Sequence, residues 1–276
     1  MYSFSGSGFS FPLGKRTYIM GILNITADSF FDGGRYTDVD SQLKRADEMR
    51  LEGADIIDIG AQSTRPGHIE KTAEEEIKLL SPVLKKLTES VDVPVSVDTY
   101  YPEVAEYALN NGVKIINDVS GVFNSEMARL IREYNAGWVI MHSGESDSST
   151  EIEYENGVVS AVNLFFDQMT EKCLSYGISI NQIMLDMGIG FGKSNEDNLE
   201  LIRNISRLKR ENTALLTALS CKRVIKNASG ASGEDLLYGT LAANTAAIYG
   251  GTDFIRVHHV KENVFAAKTA DELFRR

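Results

Sequence analysis

Asn24, Asp58, Asp98, Asn117 with Asp118, His142, Asp186, Ser220 with Lys222 and Arg223, and Arg256 with His258 and His259 stand at or beside the end of a short apolar run. Thr64 and Arg65 follow the run that carries Asp58 and precede Pro66-Gly67, a pair that turns a chain sharply. Singly, each has a plain explanation: an aspartate after a strand commonly caps a helix or forms a turn, and an isolated cation is solvated. Repeated at nearly every strand end, they call for a site. Asp98, Asn117 and Asp186 supply carboxylate and amide acceptors, suited to a flat heterocycle that presents several N–H donors along one edge. Arg65, Lys222, Arg223 and Arg256 are cations in a chain of net charge −11, so their convergence implies an anion. Asn24 and His258 could join them around a phosphate or a hydrated Mg²⁺. The chemistry suggested is a polar heterocycle attached to, or leaving, a phosphate group. His68, His142, His258 and His259 lack the tight spacing of a zinc site, and Cys173 and Cys221 are far apart, as suits a reducing compartment.

The elements that must position these residues alternate. Apolar runs at about 18–23, 55–59, 93–97, 114–117, 137–141, 183–185, 214–219 and 253–257 read as strands. Helical patterns fill 39–51, 72–87, 101–110, 124–134, 158–176, 195–208, 233–249 and 262–274. Thr72-Ala-Glu-Glu predicts a capping box, and Pro102 with Gly112 brackets the third helix as expected. Eight strand–helix units predict an α/β fold with a parallel sheet, and eight close a (β/α)₈ barrel in about 250 residues. The 276 residues hold no Ser- or Pro-rich linker, so one domain over 1–276 is expected. A doubly wound open sheet is the alternative, but no glycine-rich dinucleotide fingerprint follows the first strand. In a barrel, chemistry belongs at the C-terminal strand ends, where the polar residues stand.

The stretch SGESDSSTEIEYENG (143–157) is polar and acidic and predicts a loop. GIGFGK (188–193) lacks the glycine spacing of a P-loop; a tight turn that lets Phe191 lie over a flat ligand fits better. The acidic balance argues against nucleic acid as partner. Neither a signal-peptide core near the N-terminus nor a membrane-length apolar run is present, which predicts a cytoplasmic protein.

MGILNITADSFFDGG, DIGAQSTRPG, SVDT, INDVSG, LDMGIGFGK, SCKR and RVHHV, in this order from about residue 17 to 260, resemble the signature blocks of the dihydropteroate synthase family. The resemblance implies a (β/α)₈ barrel, usually a homodimer. It also implies a transferase that joins 4-aminobenzoate to 6-hydroxymethyl-7,8-dihydropterin pyrophosphate and releases pyrophosphate with Mg²⁺. Carried onto this chain, it assigns the pterin to Asp98, Asn117, Asp186 and Lys222. The pyrophosphate would go to Asn24, Arg256 and His258, with Asn24 near the metal. Asp32 and Arg65 would meet over the closed site, and Phe30, Thr64, Pro66 and Phe191 would wall the aminobenzoate pocket, with Arg223 able to reach its carboxylate. The chain departs from the pattern at Ala27, Met187, Cys221 and His259, where the family usually has proline, proline, arginine and aspartate, and in the segment after His142. These departures leave open a pterin-binding paralogue with lost or altered condensation. A methyltetrahydrofolate–corrinoid methyltransferase shares the barrel but has no use for the STRPG block.

Overall fold

Ten strands occur in the computed structural model, which describes residues 2–25, 39–62, 70–144 and 152–275. They are β1 (Ser3–Gly6), β2 (Phe9–Pro12), β3 (Tyr18–Asn24), β4 (Ile56–Gly60), β5 (Val95–Asp98), β6 (Ile115–Asp118), β7 (Gly137–Met141), β8 (Ile183–Asp186), β9 (Ala214–Thr217) and β10 (Phe254–Val257). β3 to β10 form a closed barrel in chain order, every neighbour parallel, with β10 returning to pair with β3. Closure rules out the open doubly wound sheet. Buried on both faces, strands such as IIDIG and GWVIM read as near-continuous apolar runs.

The period of two along a strand explains the isolated polar residues. Tyr18, Ile56, Ile115, Met184 and Phe254 belong to one apolar cluster in the lower barrel. Two residues further on, the same face of four strands presents Asp58, Asn117, Asp186 and Arg256. Register then aligns the rim: Asn24 lies opposite Gly60, Gly60 opposite Asp98, and Asp98 opposite Asn117. A second apolar cluster packs the outer strand faces against the surrounding helices.

The antiparallel hairpin β1–β2 was not expected from the sequence. Its Phe4, Phe9 and Phe11 are buried beneath the barrel, where Phe4 and Phe11 meet Phe254 edge-on at 5.7 and 5.6 Å and Tyr18 stacks on it at 5.0 Å. The hairpin is the floor. Three further elements differ from expectation. The pattern over 72–87 is two helices, Ala73–Leu80 and Leu84–Ser90, because Pro82 lacks the N–H a continuous helix needs. The one over 195–208 is also split, into Asn195–Arg203 and Ile205–Leu208, and a short helix, Arg223–Ser229, follows Lys222. The expected Thr72–Glu75 capping box is present. No described helix is long and apolar enough to cross a membrane.

Candidate active site

The polar layer closes across the barrel through Arg256. From β10 its Nε donates to Asp58 Oδ2 at 2.6 Å and its Nη2 to Asp98 Oδ2 at 2.7 Å. The Asn117 amide donates to the same Asp58 oxygen at 3.1 Å. Asp58 is fully buried, and its Oδ1 has no hydrogen-bond partner among the described residues. Burial pushes the Asp98 carboxyl above the ordinary range; Arg256 pulls it down and Asp58 pushes it up. A guanidinium carries five N–H donors, and these two bonds use two of them.

Across the rim, burial also raises Asp186, with Lys222 opposing. Its Oδ1 accepts the Gly188 N–H at 2.8 Å, which fixes the carboxylate's rotation. The turn beyond it runs through Gly188, Gly190 and Gly192 at φ +65°, +88° and +60°, a left-handed succession open to glycine at little cost. It carries Phe191, and the Lys222 ammonium lies 5.0 Å from that ring's centre while donating to the Ile189 carbonyl at 2.5 Å. Burial lowers Lys222 to about 8, against the pull of Asp186 and with the push of Arg256. The expected platform for a flat ligand is therefore a phenyl ring with a cation over it.

Ser220 joins the ends of β9 and β10: its hydroxyl lies 3.0 Å from His258 Nδ1 and accepts the His258 backbone N–H at 3.2 Å. Cys221 is half-buried at φ +58°, its N–H held by the Thr240 hydroxyl at 3.1 Å. Arg223 opens its helix with its side chain exposed. Asn24, half-buried, ends β3. Asp98, Asn117, Asp186, Lys222, Phe191, Arg256, His258 and Asn24 thus come from strand ends and loops on one face of the barrel. Phe30, Asp32, Thr64, Arg65 and Pro66 lie outside the described residues, as does Ala27.

Other polar residues here were not assigned roles from sequence. Asp58 sits inside an apolar strand, and that mismatch was its signal. Lys193 is buried at the end of the glycine turn. Tyr100 ties the flanks of 63–69 together: its hydroxyl receives the Gln62 amide at 2.6 Å and donates to Glu70, while the Lys71 N–H reaches Gln62 Oε1 at 3.1 Å. Asp118 accepts from the Ser120 N–H at 2.9 Å and the Trp138 indole at 3.3 Å, and burial raises it to about 6.

Among the described residues no cluster of three or more His, Cys, Asp or Glu could hold a metal ion. A lone amide oxygen from Asn24 on the open rim suits Mg²⁺ of one kind: an ion that keeps several waters and takes its remaining ligands from substrate phosphates.

The profile of the family described as pterin binding enzyme matches residues 20–258. A dihydropteroate synthase of Clostridium beijerinckii is 40% identical over 272 residues, covering 96% of this chain and 97% of that protein. Among solved structures, a dihydropteroate synthase of Clostridium difficile in the presence of pteroic acid has a TM-score of 0.89 at 41% identity, covering 96% of this chain and 100% of that one. One of Thermus thermophilus in complex with 4-aminobenzoate has a TM-score of 0.86 at 35% identity, with 99% and 100% covered.

Proposed function

This chain belongs to the pterin binding enzyme family, and from that premise we propose how its rim performs the family's condensation. The reaction is that of a dihydropteroate synthase, a transferase of folate biosynthesis: 4-aminobenzoate and 6-hydroxymethyl-7,8-dihydropterin pyrophosphate give 7,8-dihydropteroate and pyrophosphate. The observation that carries the assignment of roles is the single layer of Asp98, Asn117 and Asp186 on the barrel's inner rim, faced by Lys222 and Arg256. Asp98, Asn117 and Asp186 accept the ring's N–H donors, and Phe191 with Lys222 covers its face. As the pterin methylene's C–O bond breaks, its electron pair leaves with pyrophosphate. The Asp98 carboxylate faces the positive charge left on the pterin, while Arg256 and His258 face the departing phosphates. Each such preorganised contact is worth about 2–4 kcal/mol. The aryl amine's lone pair then closes the C–N bond, and one N–H proton of the amine passes to water. Asn24 would hold Mg²⁺, which when bound supplies positive charge to the pyrophosphate oxygens.

Asp32 and Arg65 are assigned to closure over the substrates, and Phe30, Thr64, Pro66 and Phe191 to the aminobenzoate wall with Arg223 at its carboxylate. We further propose that residues 1–276 act as one domain, in the cytoplasm, and as a homodimer. Exposed Tyr238, Tyr249, Phe265 and Leu273 on the helices Leu236–Tyr249 and Val260–Phe274 support the last point. The test of function is pyrophosphate release with and without 4-aminobenzoate. Sustained release that the amine stimulates, with 7,8-dihydropteroate formed in equal amount, is expected; release without that product, or none, overturns the condensation.

At Cys221 the family pattern has an arginine, so one positive charge beside Lys222 is missing. Cys221→Arg is expected to raise turnover severalfold, and Arg223→Ala to be more damaging in the wild type than in the Cys221→Arg background. Steady-state rates for the double-mutant cycle check this. A neutral Cys221→Arg with no coupling to Arg223 makes the substitution inconsequential.

A further inference from the structure

We propose that Lys193 is a positioning residue of the pterin subsite, its ammonium holding the glycine turn in the one shape that presents Asp186 and Phe191 to the ring. The inference rests on the pterin reading of the rim. Lys193 is only 2% exposed, and among the described residues no carboxylate is bonded to it. Its Nζ donates instead to three backbone carbonyls: His142 at 3.1 Å, Gly188 at 2.9 Å and Phe191 at 3.0 Å. An ammonium has three hydrogens, and all three are used. The Gly188 carbonyl also receives the Phe191 N–H at 3.2 Å, which closes the turn on itself, and the ammonium ties that closed turn to the His142 and Phe191 carbonyls.

The three acceptors define what is held. Gly188 is the residue whose N–H orients the Asp186 carboxylate, so the lysine and the carboxylate grip its two ends. Phe191 carries the ring under Lys222. His142 lies just past β7 and anchors the turn to the next strand, where its own N–H bonds the Asp186 carbonyl at 2.8 Å. The contact is close: a Cβ on Gly188 would overlap the His142 carbonyl oxygen, and one on Gly192 would come within 2.6 Å of Gly144 Cα. Asn198 completes the clamp, accepting the Gly190 N–H at 2.7 Å and donating to the Lys193 and Ser194 carbonyls at 3.2 and 2.7 Å. Burial and the Lys222 charge lower the ammonium to about 7, with Asp186 and Asp197 opposing, while burial keeps His142 uncharged with a value near 3. A buried lysine that donates to three backbone carbonyls of the turn and its neighbouring strand is there for shape.

The test replaces Lys193 by methionine, which fills the volume without donors, and by glutamine, which keeps two. Calorimetric titration with 6-hydroxymethyl-7,8-dihydropterin pyrophosphate in magnesium buffer is expected to show at least tenfold weaker binding for Lys193→Met and a smaller loss for Lys193→Gln. Both variants should stay folded, with the lower melting temperature in Lys193→Met, and the KM for 4-aminobenzoate should rise by a smaller factor than the pterin dissociation constant. Unchanged pterin affinity in a folded variant overturns the proposal. Equal loss toward both substrates does too, as does unfolding of both variants, which would assign the lysine to the barrel as a whole. Because the titration reads binding alone, it stands apart from whether the wild type condenses the two substrates.

Discussion

Lys222→Ala leaves a folded barrel that turns over at least a hundredfold more slowly, a loss of about 2.7 kcal/mol in the transition state. The lysine lies beyond β9 and outside both apolar clusters, so the fold loses little with it. The site loses the cation that covers Phe191 and faces Asp186 and Asp98. Asp98→Asn should fall by a similar factor, since the amide keeps the shape but removes the charge that faces a cationic pterin. The wild-type pH profile is a second readout. With Lys222 at about 8, the charged form prevails below that value, so kcat/KM should decline as pH rises through it, and Lys222→Ala should lack that limb. Turnover like the wild type's in either variant removes that residue from the site.

Asp58→Ala is expected to reduce stability by about 3–5 kcal/mol, read as a lower urea midpoint at unchanged slope, and to depress turnover as well. This carboxylate receives both Arg256 and Asn117 on one oxygen while fully buried. Removing it strands a guanidinium that then has only Asp98 among the described carboxylates bonded to it. Replacing both members of such a pair is milder than removing one, but Arg256 also serves Asp98, so Asp58→Ala with Arg256→Met should recover only part of the stability and none of the activity. A stability within about 0.5 kcal/mol of wild type for Asp58→Ala would contradict the assigned bridge, given the ordinary scatter of surface substitutions.

The barrel and its rim were legible in the sequence because both obey short periods. A strand of two-residue period that places Ile115 on the inner face must place Asn117 there too. What sequence could not supply was the pairing across the barrel: Arg256 meets Asp58 from 198 positions away, and no local spacing encodes that. The same limit hid Lys193, whose neighbours in the chain suggest only a turn while one of its three acceptors lies 51 residues upstream. The floor was missed for a different reason. Two four-residue strands around a Gly-Ser-Gly turn have too few residues to show a pattern, and they hold their shape by packing aromatic rings against a barrel that sequence order places later. Pro82, in contrast, is a local break within the second helical pattern, and it divides that pattern into two helices.

The hairpin floor has a consequence for handling the molecule. The Leu13 N–H bonds the Tyr2 carbonyl at 2.8 Å, Thr17 bonds Asp271 through both its N–H and its hydroxyl at 2.7 and 2.8 Å, and Arg275 reaches the Thr252 carbonyl. Both described ends of the chain therefore meet at the N-terminal mouth of the barrel, behind the phenylalanines and on the side away from Asp98 and Lys222. An affinity tag, a fused protein or a surface tether added at either end would emerge from that closed underside. An immobilised preparation would then present its open rim to the medium, whichever end was chosen for attachment.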